Sequence, residues 1–162
     1  MVKRISFIDL DTNDMELNLN PLYIKAYVIG TSCSGKTSFI KRMLFNTFTF
    51  YYTETRAIEI YKPKQFKQKC LTNSFRPLIN VEFWDIPPNQ HITNTETNDI
   101  LIIIYKDKMP CIPSIPIRTW ILYRDDKPKG FSKKKIKINN LENTGIEDFK
   151  ISFLNEFTKE YH

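Results

Sequence analysis

The segment Gly30-Thr31-Ser32-Cys33-Ser34-Gly35-Lys36-Thr37 sets one cation, several hydroxyls and two glycines in the spacing G-x-x-x-x-G-K-[ST]. Residues of these types in this order suit the holding of phosphate. A loop whose N–H groups turn inward at the positive end of a helix meets dense negative charge without moving side chains. Gly30 and Gly35 permit the close backbone approach, Lys36 reaches the β- and γ-phosphates, and the Thr37 hydroxyl is placed for Mg²⁺. Cys33, Ser34 and Ser38 complete the nucleotide-binding set. A chance match on a Gly/Ser loop would carry no particular flanks. Here a strand-like run, Tyr23 to Ile29, enters the loop, and a helical run, Ser38 to Phe45, leaves it.

The elements that must position this loop can be read from hydrophobic spacing. Residues 1–21 form an extension, with 3–10 as a possible extra strand and Pro21 closing it. In the first helix Phe39, Ile40, Met43 and Leu44 make one apolar stripe. Ile58 to Tyr61 and Asn80 to Trp84 are expected to pair as a hairpin across a long polar loop. Ile100 to Tyr105 has the length of a buried strand, Thr119 to Leu122 is a further strand, and Ile136 to Ile138 a short sixth. The last element is a helix over 145–160, with Thr144 and Glu147 in capping-box spacing and Ile146, Phe149, Phe153, Leu154 and Phe157 on one face. The pattern predicts a three-layer α/β domain over 22–162, with a mostly parallel sheet of about six strands and few helices. Ligands of such sheets sit beyond the carboxyl ends of the strands.

At 162 residues the chain is long enough for one core. No apolar run reaches the length of a membrane-spanning helix, and the first residues lack the apolar stretch of a signal peptide. Position 2 is Val and the last four residues hold no cysteine, so neither N-myristoylation nor prenylation is expected. Cys33, Cys70 and Cys111 form no C-x-x-C pair, which suits a reducing, cytoplasmic setting. The two histidines cannot build a His-rich metal site. The net charge of +6 gathers largely in 62–69 and 127–137, which read as solvated loops rather than as a nucleic-acid surface.

With these elements in place, the chain resembles a small GTPase of the Ras superfamily, with traits of Rab and Rag members, over roughly 22–160. The resemblance implies guanine nucleotide, GTP or GDP, and Mg²⁺. It places the first-switch Thr of the family on Thr55, which stands 18 positions after Thr37, with Thr53 as the fallback. Phe83-Trp84-Asp85-Ile86-Pro87-Pro88-Asn89-Gln90 is similar to the family's W-D-x-x-G-Q, which makes Asp85 the metal-supporting carboxylate. Tyr123-Arg124-Asp125-Asp126 stands for N-K-x-D, giving Arg124 the stem over the base and Asp126 the reading of guanine. Asn139-Asn140-Leu141 occupies the place of S-A-K.

The departures from that pattern carry their own expectations. Pro88 stands where the family's Gly gives an N–H to the γ-phosphate, and proline has none to give. Asn89 takes the place of the water-positioning Gln, with Gln90 adjacent but out of register. A shift of about 1 Å at such a group costs about a hundredfold in rate, so hydrolysis is expected to be weak or absent. The three prolines at 110, 113 and 116 forbid the long helix of the family between the fourth and fifth strands. Both remaining helices then lie on one face, and the other needs cover. The extension and loops could fill it, or a protein partner or second copy could dock there near Trp84 and Trp120. Three readings follow: a nucleotide-binding module, a nucleotide-free pseudo-GTPase scaffold, or another P-loop enzyme, for which the chain lacks a lid and acceptor domain.

Overall fold

The computed structural model describes residues 22–63, 79–114, 117–125, 127, 129 and 134–158, with the side chains of Phe157 and Thr158 excepted. The expected extension over 1–21, Cys70, Asp126, the side chain of Phe157 and most of the two lysine-rich stretches lie outside the described residues.

Among the described residues six strands and two helices follow in the order β1 (Leu22–Gly30), α1 (Lys36–Phe45), β2 (Glu59–Tyr61), β3 (Ile79–Asp85), β4 (Ile100–Tyr105), β5 (Arg118–Tyr123), β6 (Lys134–Lys137) and α2 (Ile146–Thr158). They make one sheet in the order β2-β3-β1-β4-β5-β6. Every neighbouring pair is parallel except β2 and β3, which pair antiparallel from Glu59 opposite Asp85 to Tyr61 opposite Phe83. The expected hairpin is therefore present, one residue shorter at β2. A central parallel strand is buried on both faces and needs no polar alternation. That is why Ile100 to Ile104 is an unbroken apolar run, fully buried.

Alternation elsewhere divides the core. On one face α1 and α2 cover Ala26, Val28, Phe83, Ile102, Ile104 and Leu122 with Phe39, Ile40, Met43, Ile146, Phe149 and Phe153. Both helices thus lie on the same side, as the resemblance implies. Trp120 belongs to this side too, edge-on to Phe149 with ring centroids 5.5 Å apart. The expectation that it borders the opposite face is corrected. Trp120 pairs with Ile102, and residues opposite each other in a ladder share a face.

The opposite face carries Tyr27, Ile29, Leu101, Ile103 and Ile121, with Trp84 at its margin. It is not bare: Ile86, Ile92, Met109, Ile112 and Ile117, from the segments after β3 and β4, pack on it. Loops supply the layer that helices supply on the other side. One loop is fastened by Asp99, which accepts the Lys25 N–H at 3.1 Å, the Glu96 N–H at 2.8 Å and the Tyr27 hydroxyl at 3.3 Å. The β1–β4 ladder begins at Ala26 opposite Ile100, so the Asp99 carboxylate extends it by one residue. Burial, then Asp99, pushes the Tyr27 hydroxyl up to about 12.

The last helix starts at Ile146, later than a capping box on Thr144 requires. The main chain of Thr144 is engaged in a two-way backbone bridge with Asn139, at 3.0 and 3.1 Å. Gly145 then turns the chain into the helix with a φ of 74°, and a Cβ there would overlap the Lys137 carbonyl.

Candidate nucleotide-binding site

The carboxyl ends of β1, β3, β5 and β6 converge on a cleft of about 300 Å³. Its walls come from the phosphate-type loop after β1, the segment 48–55, Pro88 after β3, Arg124 after β5, and Asn140 and Leu141 after β6.

Lys36, only 7% exposed, donates to the carbonyls of Gly30 at 3.2 Å and Thr31 at 3.3 Å. An ammonium out of water needs such partners. Burial pushes its pKa down, opposed by the charges of Asp85 and then Cys33. Two of its three N–H donors are spent on the loop, and no acceptor for the third is found among the described residues. The loop is closely packed: a Cβ on Gly30 would come within 2.5 Å of Ser34 Oγ and 2.7 Å of the Ile104 carbonyl. Ser34 Oγ is itself buried without a hydrogen-bond partner among the described residues. Cys33 is exposed at a φ of 58°, and Gly35 has a φ of 95° where α1 begins.

Beside the lysine, three oxygen-bearing side chains meet from three segments. Thr37 Oγ1 donates to Asp85 Oδ2 and lies 3.0 Å from Thr55 Oγ1. The Ile86 N–H, on the Val28 carbonyl at 3.0 Å, holds the end of β3 against β1 and so sets Asp85 there. Asp85 is wholly buried, and its Oδ1 has no partner among the described residues. Burial pushes this carboxyl up, opposed by the Thr37 hydrogen bond and the Lys36 charge. A buried carboxylate oxygen left orphaned beside two hydroxyls fits a hard cation that takes few protein ligands and completes its shell with water and phosphate. No cluster of three or more His, Cys, Asp or Glu occurs among the described residues.

The far end of the cleft is built by Phe48, Arg124, Asn140 and Leu141. Arg42 of α1 holds this end together. Its Nε and Nη2 donate to the carbonyls of Asn140 and Leu141, both at 2.8 Å, and its guanidinium stands 5.7 Å over the Phe48 ring. The Tyr52 hydroxyl meets Cys33, and that hydrogen bond is the leading cause of its raised pKa. The segment 48–55 therefore lies across the phosphate-type loop.

Of the residues expected from sequence, Cys33, Ser34, Gly35, Lys36, Thr37, Ser38, Thr55 and Arg124 line this cleft, and Asp85 abuts it through Thr37. Gly30 borders the smaller hollow described below, its carbonyl accepting from Lys36, and does not line the cleft. Asn89 and Gln90 do not line it. Both are exposed, and Gln90 instead borders a smaller hollow of about 80 Å³ with Ile86, His91 and Cys111. The Gln90 N–H returns to the Pro87 carbonyl at 3.1 Å, a tight turn that leaves Pro88 as the cleft's contact. Phe48, Arg42 and Asn140 were missed as a group. Asn140 alone had a signal, its place in the degraded S-A-K segment.

Comparison with known proteins follows this geometry. The family model described as Roc, Ras of Complex, domain of DAPkinase matches residues 25–121. The chain belongs to the Roc family. It is a divergent member of the Ras superfamily with the P-loop GTPase fold, as the motifs imply. Among solved structures it is similar to Methanosarcina barkeri Roco2 RocCORdC bound to GDP, at 21% identity and a TM-score of 0.64. The alignment covers 91% of this chain and 53% of that one, so the Roc chain spans about half the length of that neighbour. A search of curated proteins finds no match. Among the described residues, no helix of this Roc chain is long and apolar enough to cross a membrane.

Proposed function

We propose that this Roc chain binds guanine nucleotide, GTP or GDP, together with Mg²⁺, and hydrolyses GTP weakly or not at all. The observation that carries the reading is the meeting of Thr37, Thr55 and Asp85, from three separate segments, beside the buried Lys36. Gly30, Cys33, Ser34, Gly35, Lys36 and Ser38 hold the phosphates, and Thr37, Thr55 and Asp85 hold the cation. The cation, when bound, offsets phosphate charge. Arg124 lies along the base, with Asp126 as the guanine reader. The GDP of the Roco2 neighbour supports the choice of base.

Weak hydrolysis rests on the second-switch turn. Pro88 offers no N–H, and the side chains of Asn89 and Gln90 are exposed and do not line the cleft, so neither positions water there. Such a domain works by presenting surfaces to other proteins, in the cytoplasm. Residues 22–162 act as the nucleotide domain and 1–21 as an extension of it. With loops packed over the middle of the outer face, a partner or second copy would meet its margin, where Trp84 lies opposite the exposed Ile60. Nucleic acid is not part of this proposal.

The second reading is a nucleotide-free pseudo-GTPase scaffold, favoured by Pro88 and by the altered guanine motifs at Tyr123 and Asn139 to Leu141. Denaturing the purified protein and separating any released nucleotide by chromatography tests both. Guanine nucleotide released from wild type and lost in Lys36→Ala supports binding. None in either supports the scaffold, and adenine nucleotide overturns the guanine assignment.

A further inference from the structure

Asn140 is 6% exposed and stands between two parts of the cleft. Its Nδ2 donates to the Gly35 carbonyl at 3.2 Å, across 105 positions of sequence. Its Oδ1 is buried with no hydrogen-bond partner among the described residues. The same Gly35 carbonyl accepts the Phe39 N–H at 2.9 Å, the first turn of α1. In a trans peptide the carbonyl of one residue and the N–H of the next point opposite ways. Two donors on the Gly35 carbonyl therefore fix the direction of the Lys36 N–H, one of the amides a loop of this type turns toward phosphate.

The other end of Asn140 is equally held. Its carbonyl is taken by Arg42, the Leu141 and Glu142 N–H groups donate to Asn139 Oδ1 at 3.0 and 3.3 Å, and the Asn139–Thr144 bridge closes the loop. The backbone that carries this side chain is thus braced from three sides, which sets where its amide starts from. We infer that Asn140 is a positioning residue, whose amide ties the base end of the cleft to the phosphate loop and aims the Lys36 N–H at a diphosphate before ligand arrives. This rests on the proposed nucleotide binding in this cleft. Among the described residues no group donates to Asn140 Oδ1, an acceptor that a bound molecule or water can use.

The test compares affinities for GDP and GMP, with Mg²⁺, in wild type, Asn140→Ala and Asn140→Asp, alongside melting of the ligand-free proteins. The Asp variant keeps the shape and an acceptor but loses the donor to Gly35. A group acting on the β-phosphate amide lowers the GDP affinity about tenfold in the Ala variant. The Asp variant loses more, while GMP affinity hardly changes, so the GDP to GMP ratio falls. Equal losses on both nucleotides, or none, overturn the assignment, because a role in packing or base contact alone leaves the ratio unmoved. Asn140→Ser, which keeps a small polar group, is measured in place of Ala if the latter does not fold. If wild type binds neither nucleotide, the nucleotide reading itself falls and this assignment with it. If wild type prefers ADP, the guanine choice falls, and the ADP to AMP ratio then judges Asn140.

Discussion

Replacing Pro88 with glycine returns an N–H to the position where the second-switch turn borders the cleft. In wild type Pro88, the residue of this turn that lines the cleft, has no backbone donor, and the Gln90 N–H is spent on the Pro87 carbonyl. A hydrogen bond to a charged group contributes about 1.5–3 kcal/mol. Pro88 is exposed, which places the gain toward the lower end of that range. Ordering the freer glycine on binding costs about 0.5–1 kcal/mol. The net gain of about 1 kcal/mol or somewhat more applies only to the nucleotide that carries a γ-phosphate. The expected outcome is a rise of about tenfold in the GTP to GDP affinity ratio in Pro88→Gly, from a wild-type ratio near one. Competition of each unlabelled nucleotide against a fluorescent GDP analogue gives both affinities, and thermal melting of the free proteins separates binding from stability. A wild type that already prefers GTP strongly refutes the reasoning. So does a Pro88→Gly ratio equal to that of wild type.

Other substitutions probe the scaffold and the site. Gly145→Ala should destabilise the fold by more than about 2 kcal/mol in urea titration, because the residue has a φ of 74° and a Cβ would overlap the Lys137 carbonyl. Asp99→Ala leaves the N–H groups of Lys25 and Glu96 and the Tyr27 hydroxyl without their acceptor, a loss of about 2–4 kcal/mol measured the same way. Tyr27 ionises at about 12 in the folded protein and at 10.0 unperturbed. As pH rises through that interval the unfolded chain releases its proton first, so stability falls, then levels above the folded value. Denaturation between pH 9 and 12 should show this alkaline limb smaller by roughly 1–3 kcal/mol in Tyr27→Phe than in wild type, the raised hydroxyls of Tyr61 and Tyr52 supplying what remains. Arg42→Ala removes the bonds to the Asn140 and Leu141 carbonyls and the contact with Phe48, and should weaken nucleotide binding about tenfold by calorimetry, with unchanged affinity counting against a built base end.

Local chemistry was legible without coordinates. The strand, loop and helix from Leu22 to Phe45 follow from spacing, glycine placement and an apolar stripe, each written within a few residues. The run Ile100 to Tyr105 declared a doubly buried strand for the same reason. Thr55 and Asp85 could be nominated by resemblance, yet only folding brings their oxygens to Thr37, because β3 pairs with β1 and so delivers Asp85 beside the loop. The side of the sheet taken by Trp120 depends on register with β4, a property of two strands together. Cover for the outer face comes from Ile92, Met109, Ile112 and Ile117 in irregular segments, where no periodicity announces burial. The bond from Asn140 to Gly35 closes 105 positions of chain through one side-chain amide, and nothing in its neighbours specifies that reach. Sequence by itself determined where an anion could be held; tertiary structure decided which distant groups complete the holder, since those contacts are made by topology rather than by local spacing.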